Sequence, residues 1–75
     1  MIITIETKEK SYDIQADKDS SIYNTLEILA EKGMLLIEGD EIPKYIYSIR
    51  KNRTVLTEAS YRENGIYQGD ILKVK

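Results

Sequence analysis

Few side chains in this sequence are equipped for chemistry. Its 75 residues include neither histidine nor cysteine, which removes the usual general base at neutral pH, the strongest side-chain nucleophile and any disulfide. Carboxylates stand close together twice, at Asp17-x-Asp19 and at Asp40-Glu41. Such pairs can hold a hard cation or divide acid and base roles. Both lie in polar stretches suited to turns, where acidic side chains solvate loops and cap free amides. Gly39, Gly65 and Gly69 have the wrong spacing and context for a loop that cradles phosphates. Neither catalysis nor a metal nor a cofactor is expected.

Basic residues gather loosely at Lys44, Arg50, Lys51, Arg53 and Arg62, with Tyr45, Tyr47 and Tyr61 among them. Cations with stacking aromatics can make a nucleic-acid surface. Here Glu58, Glu63 and Asp70 interleave with them, charge runs are short, and the net charge is −2. A solvated sheet edge is the simpler account, and no nucleic-acid partner is expected. No apolar run approaches the roughly 18 residues of a membrane span, and no signal peptide opens the chain. Membrane insertion is therefore not expected, and the expected location is the cytoplasm.

The size corresponds to one domain, residues 1–75, whose single core would leave a margin of roughly 3–5 kcal/mol. Met1 to Glu6 alternates as a strand with Ile3 and Ile5 inward. Thr7 to Lys10 is a turn, and Ser11 to Ala16 alternates again with Tyr12, Ile14 and Ala16 on one face, completing a hairpin. Asp17 to Ser21 is a loop ending in N-cap residues, Ser20 or Ser21, with Asp17 and Asp19 suited to the positive end of the helix dipole. The helix runs to about Lys32, with Gly33 as the C′ residue. Its apolar stripe is Ile22, Tyr23, Leu26, Leu29 and Ala30, and Ile28 falls outside it.

Met34 to Ile37 could be a short strand or a chain packed over the helix end and reads as local core, and Gly39, Asp40 and Pro43 mark a loop. Tyr45 to Arg50 is a third strand whose register stays open. Either Tyr47 and Ile49 face outward with Ser48 inward, or they are core and Ile46 lies outside. Lys51-Asn52-Arg53 is a turn, Thr54 to Thr57 a short strand, and Glu58 to Gly65 a tight turn or single helical turn. Ile66 is an isolated apolar anchor between turns at Asn64-Gly65 and Gln68-Gly69-Asp70. Ile71 to Val74 is the final strand, with Leu72 and Val74 inward.

One helix of about 12 residues can cover only one face of such a sheet, which gives an α+β class. The first and last strands can lie parallel at its centre, because the crossover through the helix is long enough for a right-handed connection. The order β-β-α-β-β-β with a mixed sheet is that of a ubiquitin-like β-grasp. The hairpin, the capped helix and the ending TVLTEASYRENGIYQGDILKVK resemble ubiquitin-like domains. Within them, Ile66, Gly69, Asp70, Ile71, Leu72 and Lys73 are similar to the ending of the small bacterial YukD/EsaB-type ubiquitin-like proteins of type VII secretion loci. The fold-level likeness spans the chain, and the family-level likeness covers about residues 46–74.

That resemblance implies a non-enzymatic protein–protein interaction module, an accessory or regulatory cytoplasmic component of type VII secretion. Its implied partner is a membrane-bound secretion ATPase or a pseudokinase-like membrane protein. Ubiquitin-like modifiers need a flexible Gly-Gly tail for activation, and this sequence closes on Val74-Lys75 within a strand, so conjugation is not expected. A free-standing ubiquitin-like module of another pathway or a mobile element, or an excised domain of a larger protein, remains the alternative. The candidate protein-binding residues lie on the exposed sheet face: Tyr47, Ile49, Ile71, Lys73 and Lys75. Exposed tyrosines, or the edge strand Ser11 to Ala16, could also support a weak homodimer unless Asp13 protects the edge.

Overall fold

The computed structural model describes every residue except Glu38, Asp40 and Lys75. The Asp40-Glu41 pair and the Lys75 position thus fall, wholly or in part, outside the described residues. The chain forms strands β1 (Ile2–Glu6) and β2 (Ser11–Gln15), helix α1 (Ile22–Glu31), and strands β3 (Tyr45–Ser48), β4 (Arg53–Leu56) and β5 (Ile71–Lys73). It is a small α+β domain, with one helix and one five-stranded mixed sheet ordered β2-β1-β5-β3-β4.

Both ladders that carry the candidate surface run through β5. It pairs parallel to β1, setting Thr4 beside Ile71 and Glu6 beside Lys73. It pairs antiparallel to β3, setting Tyr47 beside Lys73 and Ser48 beside Leu72. The parallel pairing is extended at its start by the preceding turn, where Gly69 N–H donates to the Ile2 carbonyl at 2.8 Å. The Gln68 side chain adds to it, accepting from Ile2 N–H at 2.7 Å through Oε1. A side-chain amide here takes the place of a backbone carbonyl.

Alternation decides which face is dry. Ile3, Ile5, Ile46, Ser48, Val55, Leu72 and Val74 are buried on the face that meets Ile22, Leu26 and Leu29 of α1. The helix begins at Ser21, whose hydroxyl accepts from Asn24 N–H at 3.0 Å. It ends with Gly33 at φ +72°, a left-handed residue that lets Met34 N–H reach back to the Leu29 carbonyl.

Several expectations need correction. Tyr23 is 39% exposed, not core, because the buried stripe narrows to Ile22, Leu26 and Leu29. Asp17 and Asp19 do not serve the helix dipole. Asp17 Oδ1 accepts from Asp19 N–H within their own loop, and Asp19 pairs with Arg62 at 2.8 Å. Of Met34 to Ile37, Leu35 is buried while Leu36 is 85% exposed.

The segment between β4 and β5 holds the largest departure. Tyr61, expected within a polar turn and with no place in the core assigned to it, is completely buried, and its hydroxyl donates to Thr25 Oγ1 at 2.6 Å. The ring locks this segment to α1. Ser60 and Glu63 form a reciprocal cap in which each backbone N–H meets the other's side chain, at 3.0 and 2.9 Å. These bonds from the Ser60 backbone and hydroxyl hold the Glu63 carboxyl below the usual range. Asn64, expected as a turn residue, is buried. Its amide donates to the carbonyls of Leu56 and Ser60, and its oxygen accepts from Leu56 N–H.

Candidate functional site: the open sheet face

The face of the sheet turned away from α1 is built by the outward residues of each strand. Two rows cross it. One joins Thr4, Ile71 and Ile49, where Ile49 N–H donates to the Ile71 carbonyl at 3.1 Å and so continues the ladder one residue past β3. The other joins Glu6, Lys73, Tyr47 and Thr54. Neighbours in such rows stand roughly 5 Å apart at Cβ and share one patch.

Four of the five site residues inferred from sequence fall among the described residues, and all four sit on this face. Tyr47 and Ile71 are half-buried, Ile49 is exposed at 41%, and Lys73 is exposed. The open question of register resolves with Ile46 and Ser48 inward. Ile46 enters the core beside Val55, and Ser48 takes the fully buried position opposite Leu72. The Ser48 hydroxyl is satisfied there by accepting from Lys51 N–H at 3.2 Å.

Two residues join the face that sequence reasoning left out of the site. Ile2 is 46% exposed on the outer side of β1, and Tyr45 is 55% exposed beside Leu56. Alternation alone places Ile2 outward, but its nearness to Ile71 follows only from the parallel β1–β5 register. The Tyr47 hydroxyl donates to Asn52 Oδ1, so the ring lies along the face toward the β3–β4 turn.

No protein-family model matches the chain, and no curated protein does. The face is therefore read from its own chemistry. Among the described residues no three acidic side chains converge to hold a metal ion. No helix of the described residues is long and apolar enough to cross a membrane. The basic and aromatic residues grouped in the sequence separate only in part. Tyr61 enters the core, Arg62 pairs with Asp19, and Lys44 lies 6.0 Å from the centre of the Tyr45 ring. Arg50, Lys51 and Arg53 stay together at the end of the sheet.

A second apolar surface is an open groove lined by Leu36, Ile37, Pro43 and Val74 together with Lys8, Glu41 and Lys73. Its walls belong to loops, whereas the sheet face is held by continuous ladders. A rigid backbone presenting side chains at fixed spacing is the better platform for a specific contact.

Proposed function

We propose that this chain is a ubiquitin-like β-grasp module that works by protein–protein contact and carries out no catalysis. One observation supports the reading above all. Ile2, Tyr45 and Ile49 are exposed on a face that also presents half-buried Tyr47 and Ile71, on the side of the sheet that the helix leaves open. Exposed isoleucine and tyrosine cost solvation in the free chain and gain area on binding, tyrosine with little loss of side-chain freedom. The sheet order, with parallel β1 and β5 at the centre and one helix across one face, is compatible with a β-grasp.

The resemblance of the ending to YukD/EsaB-type proteins supplies the pathway. In this proposal the chain is an accessory or regulatory cytoplasmic component of type VII secretion, and its partner is the membrane-bound ATPase or the pseudokinase-like component. The test is affinity capture from solubilised membranes of a cell that carries such a system. Wild-type bait is compared with the Tyr47→Ser/Ile49→Ser double variant. Enrichment of a secretion component on wild type alone is the expected result. Recovery of none would leave a free-standing interaction module of another pathway. Failure of the double variant to fold would remove the sheet face from consideration.

A further inference from the structure

Asn64-Gly65 is the one place in the sequence where an asparagine precedes a glycine. In an open chain this pair is the one most prone to deamidation. The glycine nitrogen closes on the asparagine side-chain amide, and Gly65 has no Cβ to hinder the approach. The fold holds both reacting groups elsewhere. Gly65 N–H donates to the Arg62 carbonyl and Ile66 N–H to the Tyr61 carbonyl, both at 2.9 Å, with Gly65 at φ +71°. These paired bonds close a helical turn on a left-handed residue. The Asn64 side chain is buried. Its Nδ2 donates to the carbonyls of Leu56 at 2.8 Å and Ser60 at 3.0 Å, and its Oδ1 accepts from Leu56 N–H at 3.1 Å. One contact works the other way. Arg53 Nη2 donates to the Asn64 carbonyl at 3.2 Å, which draws electrons from the Gly65 N–H and favours its ionisation. That activation has no effect while the amide is tied to Leu56 and Ser60, because the ring closes only when Cγ swings onto the nitrogen.

We propose that Asn64-Gly65 is a deamidation site that the native fold keeps closed and that unfolding opens, with water as its co-reactant. The Gly65 nitrogen gives its proton to solvent base and bonds to Asn64 Cγ. The Cγ–Nδ2 bond breaks, and Nδ2 leaves as ammonia after taking a proton from water. Water then opens the cyclic imide at either carbonyl and leaves aspartate or β-linked isoaspartate at this position. The net change is a water consumed and an ammonia released. Neither product rebuilds the clamp. A carboxylate oxygen in place of Nδ2 faces the carbonyl oxygens of Leu56 and Ser60 with no proton to give at neutral pH. Isoaspartate also lengthens the backbone inside the turn. A chain that stays open long enough to react therefore does not return, and the site makes unfolding irreversible. A domain of this size is unfolded in about one molecule in a few hundred to a few thousand, and the native chain is protected by about that factor.

The test is to incubate the full chain in mildly alkaline buffer with and without guanidinium chloride, and to follow Asn64 by peptide mass spectrometry. Asn24-Thr25 and Asn52-Arg53 serve as references in the same chain, since the attacking nitrogen of each belongs to a bulkier residue. In guanidinium, Asn64 is expected to convert to both acid isomers while Asn24 and Asn52 stay intact. Gly65→Ala, unfolded in the same solution, is expected to slow the conversion to the rate of the references. Without denaturant the wild type is expected to convert at least about 100-fold more slowly. The converted chain and the Asn64→Asp variant are each expected to recover little of the native circular-dichroism signal when guanidinium is removed. Equal rates with and without denaturant would overturn the claim that the fold closes the site. Absence of conversion in guanidinium would remove the site altogether. A wild-type melt from the converted chain or from Asn64→Asp would overturn its irreversibility.

Discussion

Tyr61 shows at the residue scale how one buried group sets a pH limit. Burial is the main cause that raises its phenol from 10.0 to about 12, and the Thr25 hydrogen bond offsets part of this. A raised folded-state value means that the native chain holds this proton more tightly than the unfolded one. The stabilisation is complete below pH 10 and disappears as pH rises from 10 to about 12, a loss of about 2–3 kcal/mol. Urea unfolding at pH 9 and pH 11 should show this extra loss in the wild type. Tyr61→Phe should lack it, although that variant should be about 1 kcal/mol less stable at neutral pH through loss of the Thr25 bond. Equal pH dependence in the two proteins would mean that the phenol is not buried. Asn64 makes three partly buried hydrogen bonds to the backbone around Leu56 and Ser60. Asn64→Ala should cost about 1–3 kcal/mol in thermal or urea melts, because the Leu56 N–H loses its partner in a partly buried place, while the Leu56 carbonyl keeps the Ala59 N–H. A neutral result would remove this side chain as the clamp between β4 and the following turn.

Among the elements, β3 is the sensitive one, since its two faces differ in kind while both carry isoleucine. Ile46 is 4% exposed and Ile49 is 41% exposed. Ile46→Ser should therefore cost about 2–5 kcal/mol, by cavity formation and burial of a hydroxyl. Ile49→Ser should change stability by less than about 1 kcal/mol. Reversal of that order in chemical denaturation would show that the strand sits one residue out of register. Within α1, Leu26 is fully buried on the central turn of the apolar stripe. Leu26→Ala should cost about 2–5 kcal/mol, and Ser21→Ala, which removes the cap on Asn24 N–H, about 1 kcal/mol.

For the molecule as a whole, the sheet is organised from its middle outward. β5 lies between β1 and β3 and follows both in the sequence, so no ladder across the centre closes until it is in place. Leu72 is fully buried at that junction, beside both Ile5 and Ser48. Leu72→Ala should remove about 2–5 kcal/mol, which is the scale of the whole stability expected for a domain this small. A largely unfolded variant by circular dichroism at room temperature is the expected result, and a cooperative melt close to wild type would contradict the central place of β5. Native-state hydrogen exchange should agree, with the slowest amides on β1 and β5 and the fastest within the edge strands β2 and β4.

Local rules carried far in this chain. Period-two alternation assigned the inward rows of β1, β2 and β5, and Ser21 and Gly33 marked the helix ends within a residue, because caps and pleats are set by neighbours in sequence. The outward placement of Ile71 and Lys73 was legible for the same reason. The strand Tyr45-Ile46-Tyr47-Ser48 was not, since each of its faces offers apolar area and alternation cannot choose between them. Pairing with β4 and β5 chose, by setting Ile46 beside Val55 and Ser48 opposite Leu72 on the buried face. Tyr61 and Asn64 sit in a polar stretch whose composition points to solvent. Only the approach of α1 and β4, distant in sequence, turns the one into core and the other into a clamp. The convergence of Arg50, Lys51 and Arg53 on the loop at Gly65 and Gly69 likewise required the β3–β5 ladder to bring two turns together. What the sequence by itself determined was the set of elements and their apolar faces, because these depend on backbone periodicity. What only the tertiary structure decided was which surface stays open and where its charge lies, because both depend on contacts between segments that the chain order keeps apart.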